Sequence, residues 1–155
     1  MTNETKITKI PFLWVEYEKF EGADLNLIYK EVKGDSNGVN ITGFVKKVKG
    51  NSKGFDITGA YNCVEGNSKG VSLTGFVNYS KRVKDFLIQY ATLKNEIKEI
   101  PENAIALQFG LFNKIGERYC PIVNIHGIKN ISKLIKETFG KIKKNLEEKL
   151  RGEDY

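Results

Sequence analysis

The sequence has few of the residues from which metal and disulfide sites are built. It contains one histidine, His126, and two cysteines, Cys63 and Cys120, which stand far apart without a partner motif. A zinc site needs paired Cys/His spacing, and a disulfide framework needs more cysteines in a smaller chain. We therefore expect two free thiols and a histidine that is partly buried or lies in a turn.

The sequence also lacks the motifs of phosphate binding and acid–base catalysis. Its glycines recur as Gly-x-x-x-Gly, without the Gly-Lys-Ser/Thr ending of a phosphate loop. The carboxylates are scattered, and Asp56 has no acidic counterpart in the regular repeats. A nucleophilic Cys/His pair would require a cysteine to meet His126 in space. We expect no enzyme, no cofactor, and no catalytic, cofactor-binding or metal-binding residues; the residues that bind a partner stay unassigned.

Long hydrophobic runs are missing as well. No apolar stretch of about 18 residues exists, which excludes a transmembrane helix. The beginning of the chain has one short apolar run at 11–15, whereas a secretory signal needs roughly 7–15 apolar residues and a small-residue cleavage site. We therefore expect a cytoplasmic protein, unless an export leader has been removed.

Glycines that recur every 16 residues are the main feature of the 155-residue chain. Self-similarity of this kind indicates a repeat architecture. Weaker copies extend the repeat to about 23–128, which predicts a single β-repeat domain over 1–155. The glycine triplets are Gly34, Gly50 and Gly66; Gly38, Gly54 and Gly70; and Gly43, Gly59 and Gly75. The weaker copies begin at 23, at 87, at 106 after a three-residue insertion, and at 122.

One repeat unit has the pattern of a strand followed by a turn. Val39 and Ile41 alternate with polar residues, the period of a half-buried strand whose apolar side chains face the core. The segment 35–38, Asp-Ser-Asn-Gly, fits a type I turn followed by a left-handed glycine, which joins antiparallel strands. Gly43 would then mark a bend in the middle of the strand.

Two architectures fit this pattern. The turn chemistry favours a mainly β fold in which the repeats form a curved antiparallel meander or barrel-like sheet. The alternative is a β-solenoid with 16 residues per coil, in which Asn62, Asn78 and Asn113 share one position and form an internal ladder. The two differ in whether Ile41 and Ile57 lie on antiparallel or parallel neighbours.

Two segments stand outside the regular repeat. Residues 80–99 fit a helix or a strand, and their alignment with the repeat favours the strand. Apolar residues at steps of three or four from Ile128 to Leu150 predict an amphipathic C-terminal helix at about 130–151. Asn130 or Ser132 can cap its start, and Gly152 can end it. We expect it to pack on one face or end of the sheet.

The net charge of +6 is concentrated in the repeat loops and the C-terminal segment. Basic residues beside aromatic ones are typical of single-stranded nucleic-acid binding, and a curved sheet closed by a helix could enclose a small apolar ligand. Both remain alternatives to a structural or protein-interaction module, self-association included. We expect mainly solvating lysines near 46–53 and 129–144. The mixed basic and aromatic set is Lys46, Lys47, Lys49, Lys53, Lys81, Arg82 and Lys84 with Phe44, Tyr61, Phe76 and Tyr79.

Three segments together resemble a bacterial surface-repeat family. They are Gly-Val-Ser-Leu-Thr-Gly-Phe-Val-Asn-Tyr at 70–79, Leu-Gln-Phe-Gly-Leu-Phe-Asn at 107–113 and Cys-Pro-Ile-Val-Asn-Ile at 120–125. The family is known mainly from spirochaete and Bacteroidetes proteins, with units like Gly-Val-Ser-Leu-Gly-Leu-Val-Asn and a closing Leu-Pro-Leu-Ile-Asn. The likeness covers roughly 34–126 and implies a protein at the cell surface. It carries over no activity, cofactor or catalytic residue, because none is established for the family.

Overall fold

The computed structural model describes residues 6–10 and 13–127, and within them the chain forms β-strands and no helix. The predicted helix at about 130–151 lies outside the described residues. The strands are β1 Lys6–Ile10, β2 Trp14–Tyr17, β3 Phe20–Asn26, β4 Tyr29–Val32, β5 Ser36–Thr42, β6 Val45–Val48, β7 Ser52–Thr58, β8 Tyr61–Thr74, β9 Val77–Ala91, β10 Lys94–Glu99, β11 Ile105–Ile115 and β12 Arg118–His126.

The strands wind into a β-solenoid of about six coils with a 16-residue spacing. Each regular coil has a long strand of seven residues and a short strand of four, joined by two bends. Successive coils stack in parallel, so that Ile41 pairs with Ile57 and Val45 with Tyr61. The solenoid alternative is therefore confirmed, and the preferred antiparallel meander is wrong.

The repeated glycines explain why the turn chemistry was misleading. Gly38 and Gly54 lie inside strands β5 and β7 rather than in hairpin turns, with φ of +129° and +131°. A Cβ on Gly54 would lie 2.0 Å from the carbonyl oxygen of Gly38, so both the dihedral and the close stacking require glycine. Gly43 and Gly59 follow the ends of strands and form the bends between long and short strands, instead of bending a strand in its middle.

Later coils are longer, and the ends of the stack are capped. Leu87 pairs with Ala106, which confirms the predicted three-residue insertion. Residues 80–99 lie almost wholly in β9 and β10, so the prediction of strand is confirmed. The predicted last copy from 122 is wrong as a coil, because β12 runs antiparallel to β11. At the other end, β1 pairs antiparallel with β2.

The interior of the solenoid is mostly polar. Val39 and Ile41 point outward, 42% and 38% exposed, while Asn40 between them is buried, so the prediction of an apolar inner side is wrong. The predicted asparagine ladder is confirmed for Asn62 and Asn78, which are buried and stacked, and it reaches Asn113 through Asn95, which the prediction did not include. Buried apolar side chains form two clusters, one of Phe20, Val32, Val48 and Val64 and one of Val83, Leu87, Ile97, Ala104, Ala106 and Ile115.

Candidate functional site

A lysine lies inside the first coil. Lys30 occupies an inward position of β4 and is fully buried. Its Nζ donates hydrogen bonds to Asp24 Oδ2 at 3.0 Å and to Asn40 Oδ1 at 2.6 Å. The ammonium also lies 3.4 Å from the ring centroid of Phe20 and 4.8 Å from that of Tyr17. A cation over aromatic faces is attracted by the ring quadrupoles, so these groups form a closed shell around the amine.

A second buried lysine lies one coil further on. Lys46 stacks next to Lys30 in the parallel register of β4 and β6. Its ammonium is paired with the Asp56 carboxylate and lies 3.3 Å from Ser52 Oγ. Asn40 Nδ2 donates to Asp56 Oδ1 at 2.8 Å, so one amide joins the two lysine sites. We call Asp24, Lys30, Asn40, Lys46 and Asp56 the buried lysine cluster.

Burial and charge act in opposite directions within this cluster. Desolvation lowers the pKa of Lys30 to about 8, although the neighbouring Asp24 charge raises it. Desolvation also lowers the pKa of Lys46, against the effect of Asp56. Burial raises the pKa of Asp24, but the charge and hydrogen bond of Lys30 outweigh it, and the net pKa lies below its usual value. Both amines are therefore closer to their neutral form than a surface lysine is.

Two rows on the outer side of the long strands are apolar, whereas the row of Glu21, Asn37, Lys53 and Lys69 near the starts of these strands is polar. Two stacked rows of outward positions carry no charged side chain, and many of their members are more than one-third exposed. Large exposed apolar patches on soluble proteins mark interaction sites. We call these two rows the apolar face: Ala23, Val39, Phe55, Val71, Ile88 and Leu107, and beside them Leu25, Ile41, Ile57, Leu73, Tyr90 and Phe109.

The apolar surface continues around one bend of the solenoid. Phe44 and Phe76 stand in the bends and are 60% and 54% exposed. Leu27, Leu93 and Leu111 occupy the corresponding bends of other coils and are also exposed. Hydrophobic side chains thus cover both the two rows on the long strands and the bend that follows these strands.

The opposite bend forms a polar groove of about 430 Å³. Asp35 Oδ1 accepts from the backbone N and Nδ2 of Asn51 at 2.8 and 3.1 Å, and Asn51 Oδ1 accepts likewise from Asn67 at 2.9 and 2.8 Å. Lys69 pairs with Asp85 across the same groove at 2.6 Å. These contacts fix the stacking of coils, and charges of both signs line the groove.

The basic residues singled out in the sequence are largely paired. Lys46 is buried and cannot contact nucleic acid, which corrects its assignment to a solvating surface. Lys47 pairs with Glu65 at 3.2 Å, Lys49 with Glu31 at 2.8 Å and Arg82 with Glu99 at 2.5 Å. Four of the seven basic residues are thus paired with a carboxylate, and Lys53 and Lys84 line the polar groove beside Asp35 and Asp85.

The remaining candidates for chemistry stay apart from the buried lysine cluster. Cys63 is buried, Cys120 is partly buried, and both are free thiols. His126 Nε2 is buried without a hydrogen-bond partner. Across 6–10 and 13–127, no three His, Cys, Asp or Glu side chains gather as metal ligands.

The buried lysine cluster was missed in the sequence although its signal is present. Lys30 and Lys46 are one repeat apart, as are Asp24, Asn40 and Asp56. The assumption that the apolar positions face the core assigned these residues to the surface. Asp56 was noted as lacking an acidic counterpart in the regular repeats, and Asp24 supplies one in the weaker copy.

Comparisons with known proteins identify no relative: no family model, no curated protein and no solved structure matches this chain. The described residues form no helix long and apolar enough to cross a membrane. The fold and its two outstanding features, the apolar face and the buried lysine cluster, define a β-solenoid with a polar interior.

Proposed function

We propose that this chain is a structural module that associates with a second copy of itself through the apolar face. The observation that carries the proposal is the outward orientation of the apolar rows, with Val39 and Ile41 exposed while Asn40 between them is buried. Water contact with so much apolar surface is unfavourable, and its removal is the main driving force of protein association.

The shape and size of the apolar face suit a second copy. Stacked sheets pack face to face at about 10 Å, and an uncharged face is compatible with its own two-fold copy. Six strands about 4.8 Å apart, each contributing the length of about four residues at 3.3 Å, give a flat area of ~380 Å² for the two rows. The exposed apolar side chains of the neighbouring bend enlarge this area toward the ~800 Å² per partner of a standard interface.

Sedimentation equilibrium of the full chain tests the proposal. We expect a dimer, and we expect Ile57→Lys, in the centre of the apolar face, to weaken it at least about tenfold, because a charge would be buried. Tyr119→Lys is the control, since Tyr119 is exposed on β12 outside the apolar face. It should leave the dimer unchanged.

Two results would overturn the proposal. One is a dimer that Ile57→Lys leaves intact, which would place the interface elsewhere. The other is a monomeric wild type, because the apolar face would then not associate with a second copy.

A further inference from the structure

The first coil places an amine against a side-chain amide in a closed, water-poor site. Lys30 Nζ is 2.6 Å from Asn40 Oδ1, and with a C=O bond of about 1.23 Å its distance to Asn40 Cγ is at most about 3.8 Å. Reacting atoms in near-attack geometries lie about 3–3.5 Å apart. The two side chains are held there by β4 and β5, which belong to neighbouring coils.

The site also contains a proton acceptor on the same nitrogen. Asp24 Oδ2 lies 3.0 Å from Lys30 Nζ and accepts a further hydrogen bond from Tyr17 at 3.0 Å. Phe20 covers the amine from one side. An amine becomes a nucleophile when desolvation favours its neutral form, and burial lowers the pKa of Lys30 accordingly.

We propose that Lys30 and Asn40 form an intramolecular amide bond that covalently joins the first two coils. Lys30 reacts as the neutral amine: the Nζ–Cγ bond forms as Nζ adds to the Asn40 carbonyl carbon, and Asp24 takes one of the two protons of that nitrogen. The Cγ–Nδ2 bond then breaks, and Nδ2 leaves as ammonia. No oxidant or reductant is needed, because an amine and a primary amide become a secondary amide and ammonia.

The second half of the buried lysine cluster supplies the proton for the leaving group. Asn40 Nδ2 donates to Asp56 Oδ1 at 2.8 Å, and Asp56 is paired with the Lys46 ammonium. A proton passed from Lys46 through Asp56 to Nδ2 balances the proton gained by Asp24. Lys46 is left neutral, the form that burial favours.

Lys46 and Asp56 provide an internal comparison. This pair also brings a buried amine into contact with a carboxyl group. The described contacts of Lys46 include no second carboxylate that could accept the proton of the amine. Condensation of this pair would release water instead of ammonia. The presence of Asp24 beside Lys30 is what assigns the reaction to Lys30 and Asn40.

Mass spectrometry of the denatured full chain tests the bond, and the result does not depend on self-association. We expect the chain to be lighter than its sequence by one ammonia. Trypsin cannot cut after an acylated lysine, so the peptides 20–33 and 34–46 should appear as one branched species. Recovery of peptides 20–30 and 34–46, unlinked and at full mass, would overturn the proposal, because trypsin then cuts after a free Lys30. Loss of water with a link between Lys46 and Asp56 would overturn it as well.

Two variants and a control separate this bond from other losses of ammonia. Lys30→Met and Asp24→Asn should each restore the full mass; a link that persists in Asp24→Asn would contradict the mechanism. Asn37 precedes Gly38 and is the ordinary site for ring closure with loss of ammonia, but it is exposed on β5. Asn37→Ala must therefore keep the mass deficit, and its disappearance would overturn the proposal. Because the linked tryptic peptide of the wild type identifies the bond by itself, a variant that fails to fold leaves the test intact.

Discussion

Asn62 and Asn78 lie one above the other in the interior, with Asn62 Nδ2 donating to Asn78 Oδ1 at 3.0 Å. Asn78 also accepts from Ser72 Oγ at 2.8 Å and donates to the Ser72 carbonyl at 2.9 Å. A buried amide with partners on two coils fixes both the spacing and the register of the stack, because a slipped coil would leave these groups unpaired.

Asn78→Ala should therefore destabilise the fold by about 1–3 kcal/mol, because it removes the acceptor of the Ser72 hydroxyl and leaves Asn62 Nδ2 with Ser72 Oγ as its remaining acceptor in the interior. Urea unfolding followed by circular dichroism measures the change. Asn37→Ala is the control, since Asn37 is exposed, and its effect should stay within about 0.5 kcal/mol. Equal effects of the two substitutions would contradict a stabilising role for the ladder.

The glycines inside the long strands allow a second prediction. Gly22 and Gly54 share a positive φ, +121° and +131°, but a Cβ on Gly22 meets nothing within 4 Å, whereas one on Gly54 meets the Gly38 carbonyl oxygen at 2.0 Å. Gly22→Ala should cost about 1–3 kcal/mol from backbone strain alone. Gly54→Ala should cost clearly more or prevent folding, because the coils must also separate.

Thermal unfolding of both glycine variants separates the two causes. If Gly22→Ala and Gly54→Ala lower the midpoint equally, close stacking of the coils contributes nothing beyond the dihedral angle. A larger drop for Gly54→Ala is expected.

The period of the fold could be predicted from the sequence, but its inner side could not. The 16-residue spacing aligned Asn62 with Asn78, and the insertion before Ala106 aligned it with Leu87; both hold in the structure. Alternation at period two shows that the faces of a strand differ, but it does not say which face is buried. We predicted that the apolar Ile41 faces inward. In the structure the polar face of the strand is the buried one, because its side chains form hydrogen bonds with one another in the interior.

Whether the strands of neighbouring repeats run parallel or antiparallel could not be predicted from the sequence either. A glycine after Asp-Ser-Asn is typical of a hairpin, and only the stacking of Gly38 against Gly54 shows that it serves close contact between parallel coils. The same spacing that identified the repeat fits either topology. Contacts between coils, which local sequence does not encode, decide between them.

Lys46 gives the stability a pH dependence of known sign. Burial lowers the pKa of Lys46 below its ordinary value of 10.5. The unfolded chain then binds more protons than the folded chain between those two pKa values, so the contribution of Lys46 to stability rises with pH in that window, by at most about 1.4 kcal/mol per pH unit. At lower pH both states are charged, and the dependence disappears.

Lys46→Met isolates this contribution from other alkaline titrations. Tyr29 and Tyr61 act in the opposite direction above pH 10, because burial raises the pKa of each to about 12. They are present in both proteins and cancel in the comparison. The free energy of unfolding of the wild type minus that of Lys46→Met should therefore increase as pH rises toward 10.5. A constant difference would show that Lys46 ionises as it does in the unfolded chain.

Binding of single-stranded nucleic acid should be weak. Lys46 is buried, and Lys47 and Lys49 are paired with Glu65 and Glu31. Lys53 lies in the polar groove beside Asp35, so the positive charges of this surface are interspersed with carboxylates that repel phosphates. A titration of the full chain with single-stranded DNA and RNA at two salt concentrations should give dissociation constants of about 10⁻⁴ to 10⁻⁶ M at physiological salt, and the affinity should fall steeply as salt rises. Lys53→Ala and Lys47→Ala should each change it by about twofold or less, because non-specific binding spreads over many contacts. Nanomolar affinity that one of these substitutions abolishes would contradict this prediction and favour a nucleic-acid-binding function.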